Sequence, residues 1–158
     1  MLKQTNKPDN LQSAINSAVW RLTKRDHSTY ELQQKLTQKG FERQIIEQVI
    51  TFCFEHDYLN EQRFAQSFVR LKAGRGYGIA VIKQELAQHK ISAENQLLAF
   101  EMYEKDHDWF ELALAQKQKK FGDEPPQDLA SKQKQQQFLY RKGFSGEQIE
   151  YAVNCYQQ

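Results

Sequence analysis

A short pattern occurs three times in this chain and limits what the chain can build. Residues 34–41 read Gln-Lys-Leu-Thr-Gln-Lys-Gly-Phe, residues 84–91 Gln-Glu-Leu-Ala-Gln-His-Lys-Ile, and residues 137–144 Gln-Phe-Leu-Tyr-Arg-Lys-Gly-Phe. Leu36, Leu86 and Leu139 correspond, as do Phe41, Ile91 and Phe144. A spacing of about 50 residues points to tandem helical units, each too small to bury its own apolar face fully. Each pattern precedes a closing helix. Ile45, Ile46, Val49, Ile50 and Cys53 form the first, Leu97, Leu98 and Phe100 the second behind Ser92, and Ile149, Ala152, Val153 and Tyr156 the third. The apolar positions follow a period of 3.6 and nothing alternates with period two for long, so the expected fold is all-α. The expectation is three tandem three-helix repeats forming an elongated, curved array. Residues 1–10 form a flexible arm, 11–56 the first repeat, 57–105 the second and 106–158 the third.

Local signals place the helices. Leu11, Ile15, Ala18 and Leu22 share a face. Ser28 and Glu31 have capping-box spacing, as do Ser145 and Gln148, each side chain being able to satisfy a backbone donor of the other residue. Asn60 is the cap of a helix carrying Phe64, Ala65, Phe68 and Val69 on one face. Gly74-Arg75-Gly76-Tyr77-Gly78 stops that helix, and a new one starts near Ile79, burying Ile79, Ile82 and Leu86. Gly40 ends the second helix of the first repeat. Paired prolines make Phe121-Gly122-Asp123-Glu124-Pro125-Pro126 a loop.

Chemistry is sparse. Histidines 27, 56, 89 and 107 are scattered one per segment, with no HExxH and no Cys/His cluster, so no metal site is expected. The glycine cluster has no preceding strand and lacks the Gly-Lys-Ser/Thr of a P-loop, so it reads first as a flexible turn between helices and only second as an anion cradle. Asp57, Asp106 and Asp108 read as solvated helix-end carboxylates. Trp20, Tyr30, Trp109 and the phenylalanines lie at helical spacing and are expected in the core. No catalytic residue and no cofactor is expected. Cys53 and Cys155 form no CxxC, and with no signal peptide or long apolar run they read as reduced, buried thiols of a cytoplasmic protein.

Charge is more informative. The formal net charge is only +2, so an acidic partner must meet a local patch. Arg63, Arg70, Lys72, Arg75 and Lys83 cluster with only Glu61 and Glu85 against them, and Lys83 and Lys90 lie two turns apart. Arg21, Lys24 and Arg25 end the first helix, and Lys35, Lys39 and Arg43 follow. Single lysines and arginines often only solvate helix faces; a group of them can meet phosphates without reading sequence. Arg21, Lys24, Arg25, Arg63, Arg70, Lys72, Arg75, Tyr77 and Lys83 are therefore the candidate binding surface. No helix carries a clear base-reading set.

Several motifs, in this order and spacing, carry a family resemblance. They are Arg25-Asp26-His27-Ser28 with Tyr30-Glu31-Leu32, then Lys39-Gly40-Phe41, Tyr58-Leu59 through Phe64-Ala65, and Gly76-Tyr77-Gly78 leading to Ile82-Lys83-Gln84-Glu85-Leu86. Asp108-Trp109 with Leu112-Ala113 and Phe138-Leu139 through Arg141-Lys142-Gly143-Phe144 follow. Over residues 14–156 the chain resembles the RecX family of bacterial regulatory proteins, nearest to gamma-proteobacterial members. Asn60, Lys72 and Lys90 depart from the acidic residue, arginine and glycine common there. The resemblance implies three three-helix repeats and a non-enzymatic monomer that binds RecA and its single-stranded-DNA filament. Its expected effect is inhibition of RecA's ATPase, strand-exchange and co-protease activities in DNA repair and the SOS response. It also allows direct DNA contact. The residues alone leave open a stand-alone DNA-binding protein of helix-turn-helix-like units, or an adaptor whose basic residues are only solvated.

Overall fold

The structure, a computed structural model, describes residues 10–155, so the expected arm over residues 1–10 lies outside the described residues except for Asn10. The described chain is helical throughout its regular elements. The first unit comprises α1 (Leu11–Lys24), α2 (Thr29–Gln38) and α3 (Arg43–Glu55). The second comprises α4 (Glu61–Gly74), α5 (Ile79–Gln88) and α6 (Ala93–Glu104). The third comprises α7 (Trp109–Phe121), α8 (Leu129–Lys142) and α9 (Gly146–Asn154). In each unit the first and third helices pack against one another, and the middle helix, 10 residues long in the first two units and 14 in the third, packs beside them.

Side-chain caps set most of the helix starts. Asn10, Ser28, Asn60, Ser92, Asp108, Asp128 and Ser145 each accept a first-turn backbone N–H, which satisfies a donor that the helix itself cannot. Ser145 and Gln148 form the full reciprocal box. At Ser28 only half of the expected box exists. Ser28 Oγ accepts the Glu31 N–H at 3.0 Å, but the Glu31 carboxylate turns away to Arg25. A bidentate arginine is the stronger partner for a carboxylate.

Helix ends repeat as well. Gly40, Lys90 and Gly143 all have positive φ (90°, 59° and 101°), and the N–H of the following Phe41, Ile91 or Phe144 returns to the carbonyl of Leu36, Leu86 or Leu139. This is the left-handed helix stop that glycine favours. Lys90 makes the same turn with a side chain present.

The core is divided in three. Ala14, Ala18, Leu32, Leu36, Val49 and Cys53 centre the first cluster, Phe64, Val69, Ile82, Leu86 and Phe100 the second, and Ala113, Leu139, Phe144, Ala152 and Val153 the third. The units are not sealed at their chain boundaries. Leu59 completes the first core and Trp109 the second, so each is closed by the stretch that opens the next unit.

Several expected core residues face solvent. Trp20 is 60% exposed and Leu97 59%, and Leu98, Tyr30 and Phe54 are also exposed. The closing helix α6 buries the expected Phe100 together with Gln96 and Ala99, with Gln96 Nε2 donating to the Ile91 carbonyl at 3.0 Å. Cys53 is buried, which pushes its thiol up to about 11, whereas Cys155 is only half-buried at the end of α9; both are free thiols.

Candidate interaction surface

The basic residues singled out by sequence fall into two sets, because two joints between units consume some of them. The first joint is polar. Asp26, in the turn after α1, accepts from Arg63 Nε of α4 at 2.9 Å. Arg63 also donates to the Asp57 and Tyr58 carbonyls and pairs with the Asp57 carboxylate at 3.4 Å. The Asp26 hydrogen bond is the main cause that raises the Arg63 pKa. The Thr29 N–H donates to Glu61 at 3.2 Å, and the Lys90 ammonium lies 5.6 Å above the Tyr30 ring. His89, edge-on to Phe64 and Phe68, sits 3.4 Å from Ser28 Oγ.

Arg25 is committed nearby. Its guanidinium holds both Glu31 oxygens, at 2.8 and 2.9 Å. Burial works to raise the Glu31 pKa, but this arginine holds the carboxyl below its ordinary value. His27 is buried beside the pair, and that burial lowers its pKa.

The second joint is made of backbone. Gly78 N–H donates to the Lys142 carbonyl at 2.7 Å, and Ala80 N–H to the Gly143 carbonyl at 3.1 Å. The start of α5 thus takes the last carbonyls of α8, so two helix ends that each lack partners satisfy one another. This contact does the work of the missing side-chain cap at Gly78. Such an approach needs glycine: a Cβ at Gly78 would stand 2.6 Å from the Gly143 carbonyl, and one at Gly76 would strike the Gln116 side chain. The glycine cluster is therefore a packed joint and not the free turn expected from sequence.

Aromatic rings and lysines line the same joint. The Tyr77 ring has two ammoniums within cation–π reach, Lys142 at 4.5 Å and Lys72 at 5.6 Å. Lys72 also pairs with Glu85 at 3.1 Å. Of the nine candidate residues, Arg63 and Tyr77 are thus built into joints, Lys72 into an ion pair within the second unit and Arg25 into one within the first. Arg21 is half-buried, its Nε without a hydrogen-bond partner. Lys24, Arg70, Arg75 and Lys83 remain exposed, with Lys24 5.4 Å above the exposed Trp20 ring. Phe138 and Lys142, which the sequence marks only as parts of a repeated motif, and Lys120, which it does not mark, lie beside the second joint. No group of three or more His, Cys, Asp or Glu side chains able to hold a metal occurs among the described residues. None of their helices is long and apolar enough to cross a membrane.

Three family models match this arrangement unit by unit: the first three-helix domain of RecX over residues 14–53, the second over 60–96 and the third over 106–153. This chain belongs to the RecX family. The regulatory protein RecX of Vibrio vulnificus is 42% identical over 144 residues, covering 91% of this chain and 93% of that one. That of Pasteurella multocida is 38% identical over 151 residues, covering 89% and 85%. The crystal structure of RecX from Lactobacillus salivarius superposes with a TM-score of 0.73 at 21% identity, over 90% of this chain and 94% of that chain. The gamma-proteobacterial RecX resemblance, the all-α class and the tandem three-helix units expected from sequence all hold. The relatives are regulatory proteins by name, and a RecX regulator role follows for this chain.

Proposed function

We propose that this RecX chain binds RecA on single-stranded DNA and inhibits its ATPase, strand exchange and co-protease activity as a non-enzymatic cytoplasmic monomer. Membership of a family of regulatory proteins, with all three helical units present, is the observation that carries this reading. Three small cores joined in chain order suit an elongated, curved array that follows a helical filament and touches neighbouring protomers. An array seated there opposes the rearrangements that ATP turnover and filament growth require. A preference of about 1.4 kcal/mol for the inhibited state shifts that equilibrium tenfold.

The contact surface in this reading is the exposed set Lys24, Arg70, Arg75 and Lys83, flanked by Arg21 and Arg25. Arg63 and Tyr77 act by holding the units in line. The test is RecA's DNA-dependent ATP hydrolysis titrated with this protein. Inhibition is expected, and it weakens at least tenfold in an Arg70→Ala/Arg75→Ala/Lys83→Ala variant of unchanged helicity. Undiminished inhibition by that variant removes these residues from the surface. Absence of inhibition by the unaltered protein, with DNA binding intact, replaces the reading by a stand-alone DNA-binding protein.

A further inference from the structure

The second joint carries more positive charge than its packing requires. Lys120 of α7 lies 5.8 Å from the Phe138 ring, and Lys142 lies 5.8 Å from the same ring and 4.5 Å from Tyr77. Lys72 lies 5.6 Å from Tyr77 on the side of the second unit. Three ammoniums and two rings therefore alternate from α4 across the joint to α7, and each neighbouring pair of ammoniums shares a ring within about 6 Å of both. Glu85 pairs with Lys72, but among the described residues neither Lys120 nor Lys142 has a carboxylate within salt-bridge distance. Lys120 and Lys142 thus leave two positive charges without a carboxylate partner beside the joint, where the local field favours an anion.

We propose that Lys72, Lys142 and Lys120 form a track for the phosphates of one nucleic-acid strand passing from the second unit onto the third. The inference rests on the filament reading above and adds to it a site on this chain for the DNA backbone. The rings restrain the ammoniums, so less side-chain freedom is lost when a phosphate binds. Lysine heads occupy ring faces on which bases would otherwise stack, so recognition is by charge and independent of base identity. A protein partner would need a desolvated apolar anchor at the centre of its contact; here the aromatic residues are half-buried and covered by lysine. A line of charge without such an anchor suits a polyanionic backbone.

The experiment is fluorescence anisotropy of labelled oligo-dT and oligo-dA with this protein alone, over a salt series. Each phosphate contact on a single strand contributes about 0.7 to the slope of log affinity against log salt. Lys120→Gln/Lys142→Gln should lower the slope by about 1.4, and Lys120→Gln, which leaves the joint's backbone bonds untouched, by about 0.7. Lys105→Gln, the same charge change at the end of α6, should bind as the unaltered protein does. The losses should be equal on both oligonucleotides. An unchanged slope in the single and double variants overturns the track, as does a loss confined to one base composition. Failure of the unaltered protein to bind either oligonucleotide also overturns it. RecA ATPase inhibition, measured in parallel, separates the two ideas: intact inhibition with an unaltered salt slope refutes the track alone, and absent inhibition by the unaltered protein refutes the filament reading.

Discussion

Lys117 shows how much a single side chain can be asked to do. It is fully buried in α7, and its ammonium donates to the carbonyls of Gly122 at 2.9 Å and Glu124 at 2.8 Å. Burying a lysine is costly unless its head is paired. Here the head closes the turn that leaves α7, and the four-carbon stem lies inside the unit. Lys117→Met keeps the stem and removes both charge-assisted bonds. It should lower unfolding free energy by about 2 kcal/mol in urea titration. The 122–128 loop should also become more sensitive to proteolysis; an unchanged denaturation midpoint would show that the ammonium contributes nothing. The sequence marks none of this, because a lysine among Gln116, Gln118, Lys119 and Lys120 reads as one more solvated charge.

Among elements, the turn between α4 and α5 differs most from its appearance in sequence. Its glycines signal a helix stop, which is what the chain does there. Their second task, letting α8 approach, is invisible because the partner lies more than 60 residues away in the chain. Gly78→Ala places a methyl group against a backbone carbonyl that cannot move aside. The expected cost is about 2 kcal/mol, the range for overpacking a tight contact. Amide exchange at Gly78 and Ala80 should quicken relative to α2 of the first unit. Equal exchange in the variant and the unaltered protein would mean that the two helix ends are not locked.

At the scale of the whole molecule the two joints differ in kind, and so should their response to salt. The first depends on polar contacts, of which the Asp26–Arg63 ion pair is partly exposed and worth about 1 kcal/mol after solvent screening. The second depends on backbone hydrogen bonds and steric fit, which salt hardly touches. Spin labels at Gln38→Cys and Gln88→Cys report the first joint, and labels at Gln88→Cys and Gln137→Cys the second. Cys155→Ser completes the background, since buried Cys53 stays protonated and unreactive. From low to high salt the first distance distribution should broaden and the second should not. Equal broadening at both would refute the distinction. An array with one stiff and one yielding joint can adjust the first unit to a partner while the other two keep their shared surface.

The sequence alone determined the local structure and its repetition. Caps, helix stops and the 3.6 period act within a few residues, so Asn60, Ser92, Ser145, Gly40 and Gly143 announce their roles wherever the chain goes. The family motifs were legible for the same reason. The candidate surface was legible only as a pool of charges. Whether a given arginine is free depends on which carboxylate the fold brings to it, and Asp26 reaches Arg63 across 37 positions. Exposure of Trp20 and Leu97 was likewise beyond local pattern, because an apolar residue at helical spacing is buried only if another helix arrives to cover it. Tertiary structure decided which charges hold the units together and which remain for a partner, since electrostatic pairing and close packing are contacts between distant parts of the chain.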